Sequence, residues 1–409
     1  ILGADYTYGK SLTSKLSAPE IDHITGAVVW SIEEGFRVSY TKDGKGGQIG
    51  GRWIVLATGA LERSMPLPGW TLPGVMTAGA AQILLKQSGV LARNAVLVGS
   101  GPLLYLIAAQ MVRTGVPPKA LIETQTRGDL LHATRYFGGA LRGWNYLLKG
   151  LKLLVEIIRA GVPRYVGASK LAVEGDEKAE AVTFVSGGQS HRITCDTVLL
   201  HHGVVPNTQA ARSLGITHKW SAQQQCFAPA LDRWGGTELD GVYIAGDGAG
   251  IGGAAVAEVS GQLVGLALAH ASGNLSLANR NETARPLFRQ KGREQAIRPF
   301  LDTAYPPFSA ALLPSDNTIV CRCEEVTAGD IRRYAELGCL GPNQTKAFGR
   351  PGMGPCQGRY CGLTVSALLS DAHQQSPDAT GYYRIRPPLK PVTLGELATM
   401  KTHPQDAAE

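Results

Sequence analysis

The sequence predicts an α/β fold in which two Rossmann-like, dinucleotide-binding units precede a small cysteine-rich C-terminal domain. Three observations lead to this prediction. Short apolar runs, of the kind that form buried strands, lead directly into glycine clusters at residues 57–59, 99–101 and 246–253. Apolar helical stretches follow the second and third of these clusters. Five of the seven cysteines lie between residues 321 and 361.

Length and composition exclude several classes of protein. A chain of 409 residues corresponds to two or three domains of roughly 150 residues each. With 44% hydrophobic and 18% charged residues, it is neither disordered nor fibrous. The net charge of +7 is a small excess for this length and indicates no nucleic-acid partner. No stretch is typical of a transmembrane segment or a signal peptide, so we expect a cytoplasmic protein, with peripheral attachment to a membrane left open.

The first strands and helices follow from local sequence patterns. Residues 27–40 and 47–57 are expected to be strands separated by a turn. A proline-rich loop then precedes an apolar helix over residues 78–87. A buried strand at 94–98, a glycine turn, a helix to residue 114 and a strand at 120–123 make a βαβ unit.

Helical periodicity continues over residues 141–160. Apolar residues recur there at intervals of three and four, which predicts an amphipathic helix. A stripe of this kind most often faces the core. We therefore expect the following stripe to be buried: Leu141, Trp144, Leu148, Leu151, Leu154 and Ile158.

The glycine turn at residue 99 has the context of a dinucleotide-binding turn, because it follows a strand and opens a helix. Glycines allow close approach of a pyrophosphate, and the helix N-terminus favours its negative charge. Glu123 ends the next strand, where an acid would bind a ribose hydroxyl, but Leu104 replaces the third glycine. An adenine nucleotide, ATP or NAD(P), and a vestigial unit without ligand both remain open. The candidate residues are Gly99, Ser100, Gly101, Pro102, Leu103 and Glu123.

A second motif is typical of flavin binding. Gly246 and Asp247 stand at the end of a strand and lead into a helix rich in glycine and alanine. Asp247 can accept a hydrogen bond from a ribityl chain, and amides at the helix N-terminus favour negative charge on a reduced flavin. The candidate residues for FAD are Ala57, Thr58, Gly59, Gly246, Asp247, Gly252, Gly253, Ala254 and Ala255.

The cysteines indicate a metal site. Cys321-x-Cys323 and Cys356-x4-Cys361 give two ligand pairs, and four thiolates suit a [2Fe–2S] cluster or an all-cysteine zinc site. The single residue between Cys321 and Cys323 does not favour zinc. A module that binds no metal remains the third interpretation. Glycines around Cys356 would let backbone amides approach cluster sulfurs. Cys195, Cys226 and Cys339 are expected to be structural thiols.

The order of Ala57-Thr58-Gly59, the Gly99 turn and Gly246-Asp247 resembles flavoproteins of the pyridine nucleotide–disulfide reductase type. Those proteins also carry an N-terminal Gly-x-Gly-x-x-Gly motif, which this sequence lacks before residue 99. We therefore expect the sequence to begin within the FAD-binding domain, with its glycine-rich segment missing. The absence of a cysteine pair near the flavin motifs argues against disulfide-reductase chemistry.

Residues 321–326, Cys-Arg-Cys-Glu-Glu-Val, and 352–359, Gly-Met-Gly-Pro-Cys-Gln-Gly-Arg, resemble bacterioferritin-associated-ferredoxin-like [2Fe–2S] domains. With residues 67–80, about 350 residues resemble the α subunits of heteromeric amino-acid dehydrogenases, the group of opine oxidases, D-hydroxyproline and proline dehydrogenases and hydrogen cyanide synthase. The resemblance implies FAD, a [2Fe–2S] cluster and a nucleotide or interfacial FMN. It also implies a β subunit of the glycine/D-amino-acid oxidase type and leaves room for a further small subunit.

The predicted function is electron transfer within such a complex, as an oxidoreductase subunit that passes electrons from substrate oxidation in the β subunit to an acceptor. The alternatives are an NAD(P)H-dependent ferredoxin-type reductase, a non-redox nucleotide-binding scaffold and a hydrogen cyanide synthase subunit. No acid–base pair for amine oxidation is evident, and His132, His201 and His202 are expected to be structural or surface residues. Catalytic residues are therefore not assigned to this chain.

These motifs divide the chain into six predicted segments. They are part of an FAD-binding domain (1–88), a second Rossmann-like domain (89–200), the return to the FAD-binding domain (201–278), a basic and proline-rich linker (279–316), the [2Fe–2S] domain (317–385) and a polar tail (386–409).

Overall fold

The computed structural model describes residues 5–33 and 35–400. The N-terminal unit contains a helix, α1 (Asp5–Thr13), and five short strands. The strands are β1 (Val28–Glu33), β2 (Arg37–Lys42), β3 (Lys45–Gly50), β4 (Ile54–Leu56) and β5 (Ala60–Glu62). β1, β2 and β3 form an antiparallel sheet. The predicted strand over 27–40 is thus two strands, because Gly35 and Phe36 turn the chain with φ angles of 74° and 60°.

The second unit is a parallel sheet with flanking helices. Its elements begin with β6 (Val75–Thr77), α2 (Ala78–Ser88), β7 (Ala95–Gly99), α3 (Pro102–Arg113) and β8 (Ala120–Glu123). They continue with α4 (Arg127–Ala133), α5 (Phe137–Arg142), α6 (Trp144–Arg159), β9 (Arg164–Val166), β10 (Ser169–Glu174), β11 (Ala181–Ser186), β12 (Gln189–Thr194) and β13 (Thr197–His201). The strand order is β6-β13-β7-β8-β9, and each neighbouring pair is parallel.

The expected βαβ unit is confirmed as β7-α3-β8, and every residue of β7 is buried. β6 pairs with β13 and therefore belongs to this sheet. The predicted boundary at residue 88 consequently lies too far along the chain, because α2 packs on β13 as well. β10, β11 and β12 form an antiparallel meander beside the sheet.

The chain then returns to the N-terminal unit. The returning elements are β14 (Val204–Pro206), α7 (Gln209–Ser213), β15 (His218–Ser221), β16 (Cys226–Pro229), β17 (Val242–Ile244) and α8 (Ala254–Ala271). β17 pairs in parallel with β4, and β14 pairs in antiparallel fashion with β5. The ends of β4 and β17, which carry the two flavin motifs, therefore meet at one edge.

One helix in the described part of the chain, α8, is long and apolar enough to cross a membrane by length and composition. Its Val259 and Leu263 are buried together with Ala284 from the following helix. Such packing is typical of a core helix in a folded domain.

The helix predicted over 141–160 is present as α6, but the expected core stripe is wrong. Leu153 and Ile157 are the buried residues of α6, and they pack in the cluster that contains α3. Trp144, Leu151 and Ile158 are exposed. The helix is apolar on two adjacent stripes, and periodicity alone does not say which stripe faces the sheet.

The predicted linker over 279–316 is also wrong, because the segment is helical. It contains α9 (Leu277–Gln295), α10 (Arg298–Ala304) and α11 (Ser309–Leu312). α9 buries Ala284, and its Phe288 packs edge-on against Trp234 at 5.1 Å between ring centroids. Arg280 and Arg233 cover these rings by cation–π contacts. Arg280, one of the arginines that made the composition resemble a linker, thus takes part in packing.

The C-terminal module is small and mostly helical. It contains β18 (Ile319–Cys321), β19 (Val326–Thr327), α12 (Ala328–Glu336), α13 (Pro342–Gly349), α14 (Gly362–Ala372), α15 (Pro377–Thr380) and α16 (Leu394–Ala398). Its buried residues share one core with the N-terminal unit, in which Val365 and Cys361 lie with Leu56 and Ile244. The predicted tail from residue 386 contains α16, and the Gly46 amide of β3 donates to the Thr399 hydroxyl at 2.7 Å. Residues 401–409 lie outside the described residues.

Candidate functional site

The two flavin motifs lie side by side where β4 and β17 end. The Ala245 amide donates to the Leu56 carbonyl at 3.0 Å, which brings Ala57-Thr58-Gly59 next to Gly246. The Thr58 hydroxyl donates to the Asn207 carbonyl at 2.8 Å. A Cβ atom on Gly248 would lie 2.9 Å from the Thr58 hydroxyl oxygen, so glycine permits this approach. Both motifs therefore contribute to one candidate site, as the sequence predicts.

Asp247 organises the start of α8. Its Oδ1 atom accepts hydrogen bonds from the amides of Gly252 and Gly253, each at 2.9 Å. Ala254 and Ala255 form the first turn of the helix. The Gly252 and Gly253 amides, which were expected to face a flavin, are thus bound to Asp247 within the chain. The negative charge of Asp247 also complements the helix N-terminus.

The glycine turn of the second unit joins β7 to α3. Gly99 and Gly101 have φ angles of 135° and 109°, and a Cβ on Gly99 would lie 1.6 Å from the His201 carbonyl oxygen. Only glycine fits at this position. Ser100 donates its amide to the same His201 carbonyl at 2.8 Å. Pro102 begins the helix, and Leu104 is fully buried in the core behind the turn.

Glu123 does not present a free carboxylate at this turn. Arg164 contacts its two oxygens at 2.7 and 3.0 Å, and the Tyr105 hydroxyl donates to it at 2.6 Å. The Gln125 side-chain amide also donates to the Glu123 carboxylate, and Glu123 is fully buried. This network raises the pKa of Tyr105 strongly, through burial first and the Glu123 charge second. A ribose contact by Glu123 would require displacement of one of these partners, so the geometry does not favour the role expected from the sequence.

A cavity of about 290 Å³ connects the two predicted cofactor regions. The Gly99 turn contributes Ser100, Gly101, Pro102 and Leu103, and the start of α8 contributes Gly252 and Gly253. Arg63 and Arg298 also line the cavity. The buried Nε atoms of both arginines have no hydrogen-bond partner among the described residues. Both arginines are nevertheless paired through other nitrogens, Arg63 with the Gln224 and Gln225 carbonyls and Arg298 with Asp302. Asp302 and Glu294 also line the cavity, so its lining carries both charges.

An acid–histidine pair that no sequence motif indicated lies at this cavity. His201 Nδ1 lies 2.6 Å from Glu62 Oε1, and the second Glu62 oxygen accepts the Gly79 amide at 2.8 Å. His201 lines the cavity beside Gly101, so the expectation that it is an ordinary structural residue is incomplete. The sequence feature that could have indicated this role of His201 is its position at the end of strand β13, where it pairs with Gly99. Glu62 fixes the orientation of the imidazole.

His202 is a structural histidine, as expected. Its Nε2 atom lies 2.7 Å from the Ser64 carbonyl, and its Nδ1 atom accepts the Phe308 amide at 3.1 Å. These partners assign the proton to Nε2 of a neutral ring. Burial, and next the charge of Arg63, lower the pKa of His202 to about 3.

This buried histidine predicts acid sensitivity. The unfolded chain protonates His202 near pH 6.5, whereas the folded protein does so only near its pKa of about 3. The free energy of unfolding should therefore fall by up to about 1.4 kcal/mol per pH unit as the pH decreases below 6.5. His202→Gln should lack this part of the slope in urea unfolding between pH 7 and pH 5. Exposed His132→Gln should keep the wild-type slope, and an unchanged slope in His202→Gln would contradict the assignment.

The four predicted metal ligands are close together as two pairs. The thiols of Cys321 and Cys361 are close enough to influence each other's pKa, and so are those of Cys323 and Cys356. The thiol of Cys361, with backbone amides of Gly352, Glu324 and Cys323, lowers the pKa of Cys321 to about 6. Within residues 5–33 and 35–400, no three acidic, histidine or cysteine side chains stand in an arrangement that could hold a metal ion. The four-thiolate ligand set stays a prediction.

The surroundings of these cysteines nevertheless fit thiolate ligands. Backbone amides already stabilise the Cys321 thiolate, as a cluster sulfur ligand requires. A Cβ on Gly354 would lie 2.3 Å from the Cys323 Cβ, so glycine lets the loop close on the site. Cys339 lies apart and donates to the Gly341 carbonyl. It is buried, as expected for a structural thiol.

Hydrogen bonds tie the cysteine loop to the chain beside the cavity. The Ser64 hydroxyl donates to the Tyr360 carbonyl at 2.6 Å, and Gln209 donates to the Gln357 carbonyl at 3.0 Å. Ser64 follows Arg63, which lines the cavity. The cysteine loop is thus held by Ser64, which follows a cavity-lining residue, and by Gln209 of α7.

Comparison with known proteins identifies two families. Residues 6–271 match the pyridine nucleotide-disulphide oxidoreductase family, and residues 315–401 match the sarcosine oxidase A3 domain. The chain is 42% identical to a subunit of the opine oxidase of Rhizobium meliloti (strain 1021), over 98% of this chain and 87% of that protein. It is 30% identical to hydrogen cyanide synthase subunit HcnB of Pseudomonas protegens, over 84% of this chain and 74% of that protein.

A solved structure supports the same fold. The crystal structure of L-proline dehydrogenase from P. horikoshii superposes with a TM-score of 0.63 at 20% identity. The match covers 91% of this chain and 64% of that chain. The predicted two-domain flavoprotein fold and the oxidoreductase class are confirmed. The chain belongs to the pyridine nucleotide-disulphide oxidoreductase family, as an FAD-dependent oxidoreductase subunit of the opine oxidase type.

Proposed function

We propose that this chain is the electron-transferring α subunit of a heteromeric amino-acid dehydrogenase. Its substrates would be secondary amines such as opines, proline or D-hydroxyproline. Oxidation of the amine would take place in a β subunit of the glycine/D-amino-acid oxidase type, and a further small subunit could complete the complex. The names of its relatives, which include subunits of opine oxidase and sarcosine oxidase, support a multi-subunit oxidase.

The observation that carries this proposal is the packing of the cysteine module against the strands that end at the flavin motifs. Cys361 lies in the same core as Leu56 and Ile244, the last residues of the two strands that end at the flavin motifs. The hydrogen bond between Ser64 and Tyr360 joins the cysteine loop to the residue that follows Arg63, which lines the cavity. Electron transfer between two bound groups requires a short, fixed separation, and a shared core supplies it.

The chain's own residues would supply binding sites for both groups. FAD accepts electrons in pairs and releases them singly, and a [2Fe–2S] cluster carries one electron at a time. Cys321, Cys323, Cys356 and Cys361 would hold the cluster, with backbone amides around Cys321 stabilising negative charge on sulfur. At the other site, Asp247 Oδ1 holds the loop before α8, and its second oxygen remains for a cofactor hydroxyl.

The cavity beside the Gly99 turn is proposed to hold an adenine nucleotide, ATP or NAD(P), or FMN shared with another subunit. Its volume of about 290 Å³ lies at the lower end of ligand pockets, which suits part of a nucleotide. The N-terminus of α3, which lines the cavity through Gly101 and Pro102, favours phosphate there.

A second function, an NAD(P)H-dependent ferredoxin-type reductase, is favoured by one observation. The same cavity reaches both Gly101 and Gly252, so a nicotinamide nucleotide on the turn would extend toward the flavin site. The saturated Glu123 carboxylate weighs against it, because that position would bind the ribose.

Anaerobic reduction of the purified complex distinguishes these functions. A secondary amine should bleach the flavin absorption, and NAD(P)H alone should leave it unchanged. Rapid bleaching by NAD(P)H alone would instead support the reductase. A complex that contains neither flavin nor iron would contradict both and indicate a scaffold subunit.

A further inference from the structure

His201 has one ring nitrogen without a partner at the cavity of the Gly99 turn. Its Nδ1 atom lies 2.6 Å from Glu62 Oε1, whereas its Nε2 atom has no hydrogen-bond partner within residues 5–33 and 35–400. The His201 side chain is only 4% exposed, and it lines the cavity. Polar atoms of such buried side chains are normally satisfied by protein, water or a ligand. The Nε2 atom is therefore available to a group bound in the cavity.

Glu62 holds the imidazole ring from its other side. Glu62 pairs with Val204 between β5 and β14, so the sheet fixes its backbone. One carboxylate oxygen lies beside His201 Nδ1, and the other accepts the Gly79 amide in the first turn of α2 at 2.8 Å. A Cβ atom on Gly79 would lie 2.5 Å from that oxygen, so glycine permits the contact. Because a carboxylate only accepts, it assigns a proton to Nδ1 of His201 and leaves Nε2 for the cavity.

The N-terminus of α3 lies against the same imidazole. A Cβ atom on Gly101 would be 3.6 Å from His201 Nε2, so the ring is in contact distance of the glycine turn. The first amides of a helix have no acceptor within the helix, and Pro102 at the start of α3 has no amide hydrogen. The amide of Leu103, which lines the cavity, remains as a donor. A backbone donor and an imidazole nitrogen thus stand side by side at a helix end that favours negative charge.

Two acidic residues also line the cavity, and each has its own partner in the chain. Asp302 pairs with Arg298, and Glu294 accepts the Tyr146 hydroxyl at 2.6 Å. These contacts reduce the repulsion that the two carboxylates would exert on an anion. The place beside His201 is therefore suited to an anionic group even though acids line the same cavity.

We propose that His201 Nε2 binds a phosphate group of the nucleotide at the Gly99 turn, and that Glu62 is the positioning residue that holds the imidazole for this contact. The inference rests on the nucleotide site proposed above and names the side chains that recognise its phosphate. A phosphate oxygen at the N-terminus of α3 accepts the Leu103 amide and the Nε2–H group of the imidazolium, while the Nδ1–H group stays bonded to Glu62. A ribose hydroxyl fits this place less well, because it carries no charge that the helix N-terminus would stabilise.

Calorimetric titration of the nucleotide-free complex with ADP and with adenosine tests this proposal. His201→Asn removes Nε2 but keeps an amide donor near the position of Nδ1, so the contact with Glu62 can persist. This variant should bind ADP at least about tenfold more weakly, because a hydrogen bond to a charged group is lost. It should bind adenosine, which has no phosphate, as the wild-type protein does. His201→Gln places an amide donor near the position of Nε2 and should recover part of the ADP affinity.

A second variant tests the positioning role of Glu62. Glu62→Gln should weaken ADP binding less than His201→Asn does. The double variant Glu62→Gln, His201→Asn should bind ADP as His201→Asn alone does, because Glu62 acts through His201. Losses that simply add in the double variant would overturn the positioning role.

The control is His132→Asn, which changes an exposed histidine of α4 and should bind ADP like the wild type. Unchanged ADP affinity in His201→Asn, or an equal loss of ADP and adenosine affinity, would overturn the phosphate contact and leave the nucleotide site standing. Wild-type protein that binds no ADP would overturn the nucleotide site itself, and this inference with it.

Discussion

Cys356→Ser is expected to abolish the low-temperature electron paramagnetic resonance of the reduced cluster. Cys356 lies beside Cys323 in one of the two thiol pairs, so its loss removes one of four expected ligands. Serine oxygen is a poor substitute for thiolate with iron. Turnover with an external acceptor should fall at least about tenfold, since an outlet for single electrons is lost. Reduction of the β-subunit flavin by the amine should remain as fast as in the wild type.

Cys339→Ser provides the matched control. Cys339 is buried in the same module, but its thiol bonds to the Gly341 carbonyl and to none of the four candidate ligands. This variant should keep its iron content and its resonance. Stoichiometric zinc in place of iron, or full turnover without the cluster, would contradict the relay and leave the module as a structural clamp.

The motifs in the sequence predicted the strand ends and glycine turns well, because strand-end glycines leave little choice of structure. Gly99 illustrates this, since any side chain there would collide with the His201 carbonyl. The same reasoning located Thr58 and Asp247, whose strands pair in parallel. Sequence patterns thus identify the positions where local backbone geometry, such as a turn at a strand end, restricts which residue can stand there.

Two other features depended on tertiary contacts that a local pattern does not contain. Tyr105 and Arg164, which bind Glu123, are distant from it in sequence. Their hydrogen bonds occupy the carboxylate that was expected to bind a ribose. Helix α9 resembles a linker in composition, but in the structure its Phe288 packs against Trp234. In both cases, contacts between residues far apart in sequence determine the structure, and a local pattern does not contain them.

Asp247→Ala is expected to reduce bound FAD at least about tenfold. The carboxylate accepts the Gly252 and Gly253 amides and stands where a ribityl hydroxyl would bind. Hydrogen bonds to a charged group contribute about 1.5–3 kcal/mol each, so loss of the carboxylate also loosens the start of α8. Flavin absorbance per protein, measured after purification, gives the FAD content. Mass spectrometry of the extracted nucleotides reports the second site in the same sample.

Two further variants separate flavin binding from loop structure. Asp247→Asn retains an oxygen that can accept both amides, so we expect it to melt like the wild type while FAD content falls. Gly101→Ala should give the opposite pattern, with FAD retained and adenine nucleotide lost, because Gly101 has a φ of 109° and lines the cavity of the Gly99 turn. Full flavin content in Asp247→Ala would refute the assignment of Asp247. Wild-type protein that releases FAD alone, at one equivalent per chain, would show that the Gly99 turn holds no second nucleotide.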